Sequence, residues 1–149
     1  MDETKRMTPI EVLLVEDNPA DVRLTREAFK ETKTKSNLSV VGDGMAAMEF
    51  LHRIGRYSGA PMPDVVLLDL NLPKKDGREV LKEMKQDPKL GSIPVVILTT
   101  SRDEDDIMKT YSDHANCYIT KPLELDAFGR VIRLIEEFWF STVCLPPKG

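Results

Sequence analysis

The sequence predicts an α/β fold: one five-stranded parallel sheet, doubly wound, with helices on both faces. Two observations predict it. Short apolar runs rich in β-branched residues alternate with longer stretches of helical period. The runs are also continuously apolar, as a strand buried on both faces requires, rather than alternating apolar and polar.

The first run, IEVLLVE (10–16), reads as strand one. Asn18 followed by Pro19 supplies a side-chain cap and a residue whose φ already suits the first helical position, and Asp21 favours the positive end of the helix. These residues predict a helix from about 19 to 33. LSVVG (38–42) is the second strand. Ala47, Phe50, Leu51 and Ile54 recur at helical spacing, so they form one apolar face of a second helix that stops near Gly55. RYSGAPMP (56–63) is a loop, and PDVVLLD (63–69) is strand three. Gly77 is expected to permit a sharp turn into a third helix, about 78–86, which ends before Asp87-Pro88. IPVVILT (93–99) is strand four, a helix polar on one side spans about 104–113, and NCYIT (116–120) is a weaker fifth strand. The last helix, Glu124 to Trp139, is expected to bury Leu125, Phe128, Ile132 and Ile135. It also carries Val131, Leu134 and Phe138 on a neighbouring face, more apolar surface than one sheet contact needs. CLPPKG is a proline-stiffened tail. The expected organisation is a tail (1–9), one domain (10–138) and a C-terminal extension (139–149), with no output domain.

Composition narrows the function classes. With 149 residues, 41% hydrophobic, the chain can bury a core without disulfide staples, and its two cysteines, Cys117 and Cys144, are too few for a disulfide framework. The N-terminus has no apolar stretch of signal-peptide type, and no apolar run approaches the roughly 18 residues of a membrane span, so a cytoplasmic location is expected. A net charge of −4 provides no basic face for nucleic acid.

In an open parallel sheet, ligands bind beyond the carboxyl ends of the strands. Strand one ends in Glu16-Asp17, strand three in Asp69, strand four in Thr99-Thr100, and Lys121-Pro122 follows strand five, so all fall at one edge. Carboxylates this close repel one another, and a hard divalent cation such as Mg²⁺ relieves the repulsion with oxygen ligands, the Asn71 carbonyl being able to complete the set. A metal alone explains neither the lysine nor the threonine. An ammonium and a hydroxyl beside a carboxylate are what a transferred phosphoryl group needs, with Asp69 as nucleophile forming an acyl phosphate.

The set EDN after strand one, DLNLPKKDG after strand three, LTTS at strand four and YITKP at strand five resembles the receiver domain of two-component response regulators, which has a flavodoxin-like (βα)5 fold. Thr99 follows Asp69 by 30 residues and Lys121 by 52, spacings similar to the family's. The resemblance implies Asp69 as phosphoacceptor and Glu16, Asp17, Asp69 and the Asn71 carbonyl as Mg²⁺ ligands. It also implies Thr99 as switch hydroxyl, Lys121 and Thr100 as phosphoryl contacts, and Tyr118 as a rotating aromatic. A cis peptide at Lys121-Pro122 is a further implication. The protein would assist its own phosphorylation and dephosphorylation rather than act as an enzyme on a separate substrate. The 56–63 loop, NLPKKDGREVL and the ending FWFSTVCLP are similar to stand-alone regulators paired with phytochrome histidine kinases. That likeness implies a sensor histidine kinase as partner and fits a homodimer, and the family resemblance implies the surface of the fourth helix, fifth strand and fifth helix as the switched face. The surplus apolar face of the last helix, continuing through Phe138, Trp139 and Phe140, makes those residues interface candidates, with packing of the C-terminal tail back onto that helix as the equal alternative.

Two alternatives belong beside this reading. A receiver-like adaptor that binds its partner without phosphorylation is compatible with the same fold. GDGMAA (42–47) fits G-x-G-x-x-A, a dinucleotide-binding pattern, but it follows the second strand and leaves Glu16-Asp17 unexplained. Singly, each site residue also has a plain explanation: Asp17 as a helix cap, Thr99 as strand propensity, Lys121 as a surface cation, Tyr118 as packing. Four strand ends agreeing at one edge is what sets those explanations aside.

Overall fold

A computed structural model describes residues 9–31 and 35–147. The expected N-terminal tail lies, except for Pro9, outside the described residues, as do the last two residues of the C-terminal extension. In chain order the elements are β1 (Ile10–Val15), α1 (Pro19–Lys30), β2 (Ser36–Val41), α2 (Gly44–His52), β3 (Val65–Leu68) and α3 (Gly77–Gln86). They continue with β4 (Val95–Thr99), α4 (Glu104–Ser112), β5 (Cys117–Thr120) and α5 (Leu125–Ile135). A 3-10 turn (Gly55–Tyr57) follows α2, and a π-helix (Glu136–Thr142) extends α5. The strands form one all-parallel sheet in the order β2-β1-β3-β4-β5.

The continuous apolarity of the strands now has its reason. Leu13, Val15, Val66, Leu68, Val95 and Ile97 point into a core shared with α2 and α3, while Ile10, Val12, Leu14, Val65, Leu67, Val96 and Leu98 point into a second core under α1 and α5. Successive side chains leave opposite faces of a strand, so every position of β3 and β4, and all of β1 but Glu11, is buried, while the flanking strands β2 and β5 are mostly half-buried. Among the described residues, no helix is long and apolar enough to cross a membrane.

Local chemistry sets the helix starts. Asn18 Oδ1 accepts from the amides of Ala20 (2.9 Å) and Asp21 (3.3 Å), with Pro19 opening α1. That helix ends at Lys30, where the Glu31 amide bonds back to the Ala28 carbonyl in a tightened turn; positions 32 and 33 of the expected helix lie outside the described residues. Helix α2 also ends early. Arg53 takes a left-handed φ of 58°, and the Arg53 and Ile54 amides bond to the Phe50 and Glu49 carbonyls in a Schellman pair, so Ile54, expected on the buried helix face, is exposed.

Glycine roles differ from expectation as well. At Gly77 a Cβ would lie 2.1 Å from the Asp69 carbonyl oxygen, so the residue is needed for close approach to the strand end rather than for an unusual φ. At Gly44 a Cβ would lie 2.0 Å from the Lys75 carbonyl oxygen, and Asp43 caps α2 by accepting from the Ala46 amide at 2.7 Å. The second glycine of the G-x-G pattern is thereby explained by packing of α2 against the loop that follows β3, whereas a Cβ at Gly42 would meet nothing within 4 Å.

Two corrections concern the C-terminal helix. Leu125, expected to be buried, is 67% exposed in the first turn of α5. At Glu136 the helix widens to i→i+5 bonding, seen in the Val143 amide on the Phe138 carbonyl (2.9 Å), which changes which residues face inward. Phe140 is therefore buried edge-on against Phe29 of α1, at 5.4 Å between ring centroids, and Trp139 and Leu145 pack on the same core. Phe140 thus leaves the exposed interface expected for it, whereas Phe138 is 52% exposed and Leu134 is exposed beside it in sequence spacing. The expected domain boundary at 138/139 falls inside the π-helix. Cys117 is half-buried against the core and Cys144 is exposed, and no disulfide joins them.

Candidate functional site

The parallel sheet delivers its strand ends to one edge, and the residues immediately beyond them converge there. Glu16, Asp69, Thr99 and Lys121 are 3%, 8%, 0% and 4% exposed, so an acidic and basic cluster is buried at the end of an apolar sheet. Burying charge is unfavourable unless it is paired. Lys121 does the pairing: its Nζ donates to Glu16 Oε1 (2.5 Å), Asp21 Oδ2 (2.8 Å) and Asp69 Oδ2 (3.1 Å). Glu16 Oε2 also accepts from the Asn18 amide at 3.1 Å, which ties it to the start of α1.

One ammonium facing several carboxylates leaves an excess of negative charge. Burial pushes the Glu16 carboxyl well above its usual range, the hydrogen bond from Lys121 opposing and the charge of Asp69 reinforcing the rise. For Lys121, burial acts downward, but hydrogen bonds to Asp21 and Glu16 and the charges of Asp69 and Glu16 outweigh it, holding the ammonium above its ordinary range. Asp17, which is exposed, brings a further carboxylate: one oxygen each from Glu16, Asp17 and Asp69 lie within 4.8 Å of one another.

At this edge of the sheet two buried side-chain atoms have no hydrogen-bond partner among the described residues, Asp69 Oδ1 and Thr99 Oγ1. Leaving such atoms unsatisfied costs about 1–3 kcal/mol each, so a site that keeps both is built for something that engages them. The hard oxygen donors, the orphaned Asp69 oxygen and the charge excess together fit a divalent cation of the Mg²⁺ class.

The remaining expected residues lie nearby with less constraint. Asn71 is exposed in the loop after Asp69, and Thr100 is exposed immediately after β4. Tyr118 is half-buried on β5, its hydroxyl donating to the Ser101 carbonyl (3.0 Å) and its amide to the Tyr111 hydroxyl (3.1 Å). The Lys121–Pro122 peptide is trans, contrary to the cis form implied by resemblance. Asp21 is a site residue the sequence reading assigned only to the helix dipole. An acid in the first turn of α1, directly after an acidic strand end, was the signal for its second role. The volume of the site is not what marks it. A cavity of about 590 Å³ lined by Arg53, Asp64, Pro94 and Pro147 lies at the opposite edge, before β3 and β4, without such a cluster of carboxylates.

Comparison with known proteins agrees with this geometry. The response regulator receiver domain family matches residues 12–133. The chain is 51% identical over 138 residues to the response regulator Rcp1 of Synechocystis sp., covering 93% of this chain and 94% of that one. The crystal structure of the phosphorylated cyanobacterial phytochrome response regulator RcpA superposes with a TM-score of 0.92 at 51% identity, covering 94% of this chain and all (100%) of that one. The Mn²⁺-bound form of Rcp1 gives 0.91 at 51% identity, with 93% and 100% covered. A response regulator in red light signaling of R. palustris gives 0.84 at 32% identity, with 93% and 99% covered.

Proposed function

The chain belongs to the response regulator receiver domain family, and from that premise we propose that it is a phosphorylation switch whose acceptor is Asp69. The observation that carries the proposal is the asymmetry of that carboxylate: Oδ2 is held by Lys121 at 3.1 Å while the buried Oδ1 has no partner among the described residues. One oxygen is fixed and the other is open to a reacting group.

In this reading the bond between phosphorus and a histidine nitrogen of a partner kinase breaks as the bond from an Asp69 oxygen to phosphorus forms. The phosphohistidine ring enters protonated on its other nitrogen and leaves with that proton, so the products are an acyl phosphate and a neutral imidazole. Glu16, Asp17, Asp69 and the Asn71 carbonyl would hold Mg²⁺, which when bound neutralises charge on the transferred group. Lys121, already oriented by three carboxylates, offers its ammonium to a phosphoryl oxygen. Thr99 offers its unpartnered hydroxyl, and Thr100 lies beside it. Movement of Thr99 and Tyr118 then alters the surface formed by α4, β5 and α5, which already exposes Met108, Tyr111, Leu123 and Leu125.

The partner is a sensor histidine kinase. The relatedness to a phytochrome response regulator and to one in red light signaling supports a phytochrome-type kinase. A cytoplasmic location goes with this reading, because histidine phosphorylation draws on cytoplasmic ATP. Residues 10–138 form the receiver, with 139–149 as an extension that adds Phe140 and Leu145 to its core. Phe138, with Trp139 partly covered behind it, is the proposed centre of a homodimer contact. The test of the acceptor is intact mass after incubation with Mg²⁺ and phosphoramidate. The wild type gains one labile phosphoryl group and Asp69→Asn gains none; equal labelling of the two would refute the assignment.

A further inference from the structure

The loop between β4 and α4 carries Ser101 two residues after Thr99, whose buried hydroxyl has no partner among the described residues, and a network of side chains holds that loop. The Arg78 guanidinium, in the first turn of α3, donates side-on to Asp106 of α4, from Nε to Oδ1 at 2.8 Å and from Nη2 to Oδ2 at 2.7 Å. Its Nη1 donates to both oxygens of Asp76, the α3 cap, at 2.9 and 3.1 Å. Asp106 Oδ2 also accepts the Ser101 hydroxyl at 2.7 Å, and the Ser101 carbonyl accepts the Tyr118 hydroxyl at 3.0 Å. One connected path therefore runs from the cap of α3, through α4 and the loop, to β5.

Two demands compete within this short loop. Its present placement satisfies Ser101 through Asp106 and leaves the hydroxyl of Thr99, two residues earlier, buried without a partner among the described residues. A side-on, charge-assisted guanidinium–carboxylate pair is among the stronger and more directional polar contacts a protein makes. Its hold on Asp106 is visible in that carboxyl's proton affinity: Arg78 and Ser101 bring it down to about 2.

We infer that Arg78 and Asp106 are positioning residues, a clamp that fixes Ser101 and Tyr118 in their present arrangement and opposes the loop movement that would give Thr99 an acceptor. The inference rests on the receiver reading and adds to it two residues that touch neither metal ligands nor phosphoryl contacts. A brace without this role would tie α3 to α4 and affect stability alone. A clamp sets a two-state bias: weakening it favours the arrangement a phosphoryl group selects, and by linkage a phosphoryl mimic then binds more tightly.

The experiment has two readouts on wild type, Arg78→Met, Arg78→Lys and Ser101→Ala. The first is the fluorine resonance of Tyr118 in protein carrying 3-fluorotyrosine, assigned with Tyr118→Phe and recorded without any phosphoryl mimic. The second is the apparent affinity for beryllium fluoride in the presence of Mg²⁺. Arg78→Met and Ser101→Ala are both expected to move the Tyr118 resonance in the same direction and to tighten beryllium fluoride binding at least about fivefold. Arg78→Lys, which keeps a charge but not the side-on pair, falls between. The effects of Arg78→Met and Ser101→Ala do not add when combined, because both act through Asp106. A lowered melting temperature with unchanged resonance and unchanged affinity overturns the clamp. A wild type that binds no beryllium fluoride overturns the phosphorylation-switch reading instead, and the Tyr118 resonance still decides whether the clamp holds.

Discussion

Lys121 is the residue on which the electrostatics of the site turn. It is buried and is the shared donor to Glu16, Asp21 and Asp69, so its removal leaves three carboxylates facing one another in a desolvated pocket. Removing one partner of a buried ion pair typically costs 3–5 kcal/mol. Lys121→Met is therefore expected to lose about 3 kcal/mol in chelator, measured by urea unfolding, and to regain a sizeable part when Mg²⁺ is added. The wild type responds less to the same addition. Equal stability of the variant with and without Mg²⁺ would contradict the view that the carboxylates form a cation site. The residue scale is also where the sequence was most informative. Asp17, Asp69, Thr99 and Lys121 were legible because each directly ends or follows an apolar run, and strand ends of a parallel sheet share an edge. Asp21 was read only as a dipole partner, since the sequence does not give the rotation that turns it toward Lys121.

Between elements, the Arg78–Asp106 pair joins α3 to α4 across 28 residues of sequence. Such a contact has no local signature, so neither residue stood out before the structure was known. Because the Asp106 carboxyl titrates at about 2 in the folded protein against an ordinary 3.8, the stability it contributes is fully present above about pH 4 and is lost as pH falls toward 2. Its partly solvated setting limits this to about 1 kcal/mol. Acid unfolding followed by circular dichroism should show the wild type losing stability between about pH 4 and 2 more steeply than Asp106→Asn; parallel curves would show that the pair contributes nothing. Other element-scale differences have local causes too. Ile54 fits the helical spacing of α2, but a left-handed Arg53 reverses the chain one residue earlier. A non-glycine residue in that conformation is not something a sequence pattern announces.

For the molecule as a whole, the alternation of apolar runs and helical stretches was enough to specify the sheet and its two covered faces, because burial on both sides imposes that pattern. The C-terminal region was harder to read. The surplus apolar residues of α5 and its extension are divided by the π-helix, which sends Phe140 inward onto Phe29 and leaves Phe138 outside. This division makes the dimer proposal testable without disturbing the core. Phe138→Glu is expected to halve the solution mass measured by light scattering while leaving the melting temperature within a few degrees of the wild type, since exposed substitutions usually change stability by about 0.5 kcal/mol or less. A variant that keeps the wild-type mass would remove Phe138 from the interface. The account as a whole depends on one carboxylate receiving a phosphoryl group, and borohydride trapping tests that most directly. An acyl phosphate is reduced at its own side chain, so peptide mapping after phosphoramidate and Mg²⁺ treatment should find homoserine at position 69 and nowhere else. Labelling that maps to another residue, or that persists undiminished in Asp69→Asn, would contradict it.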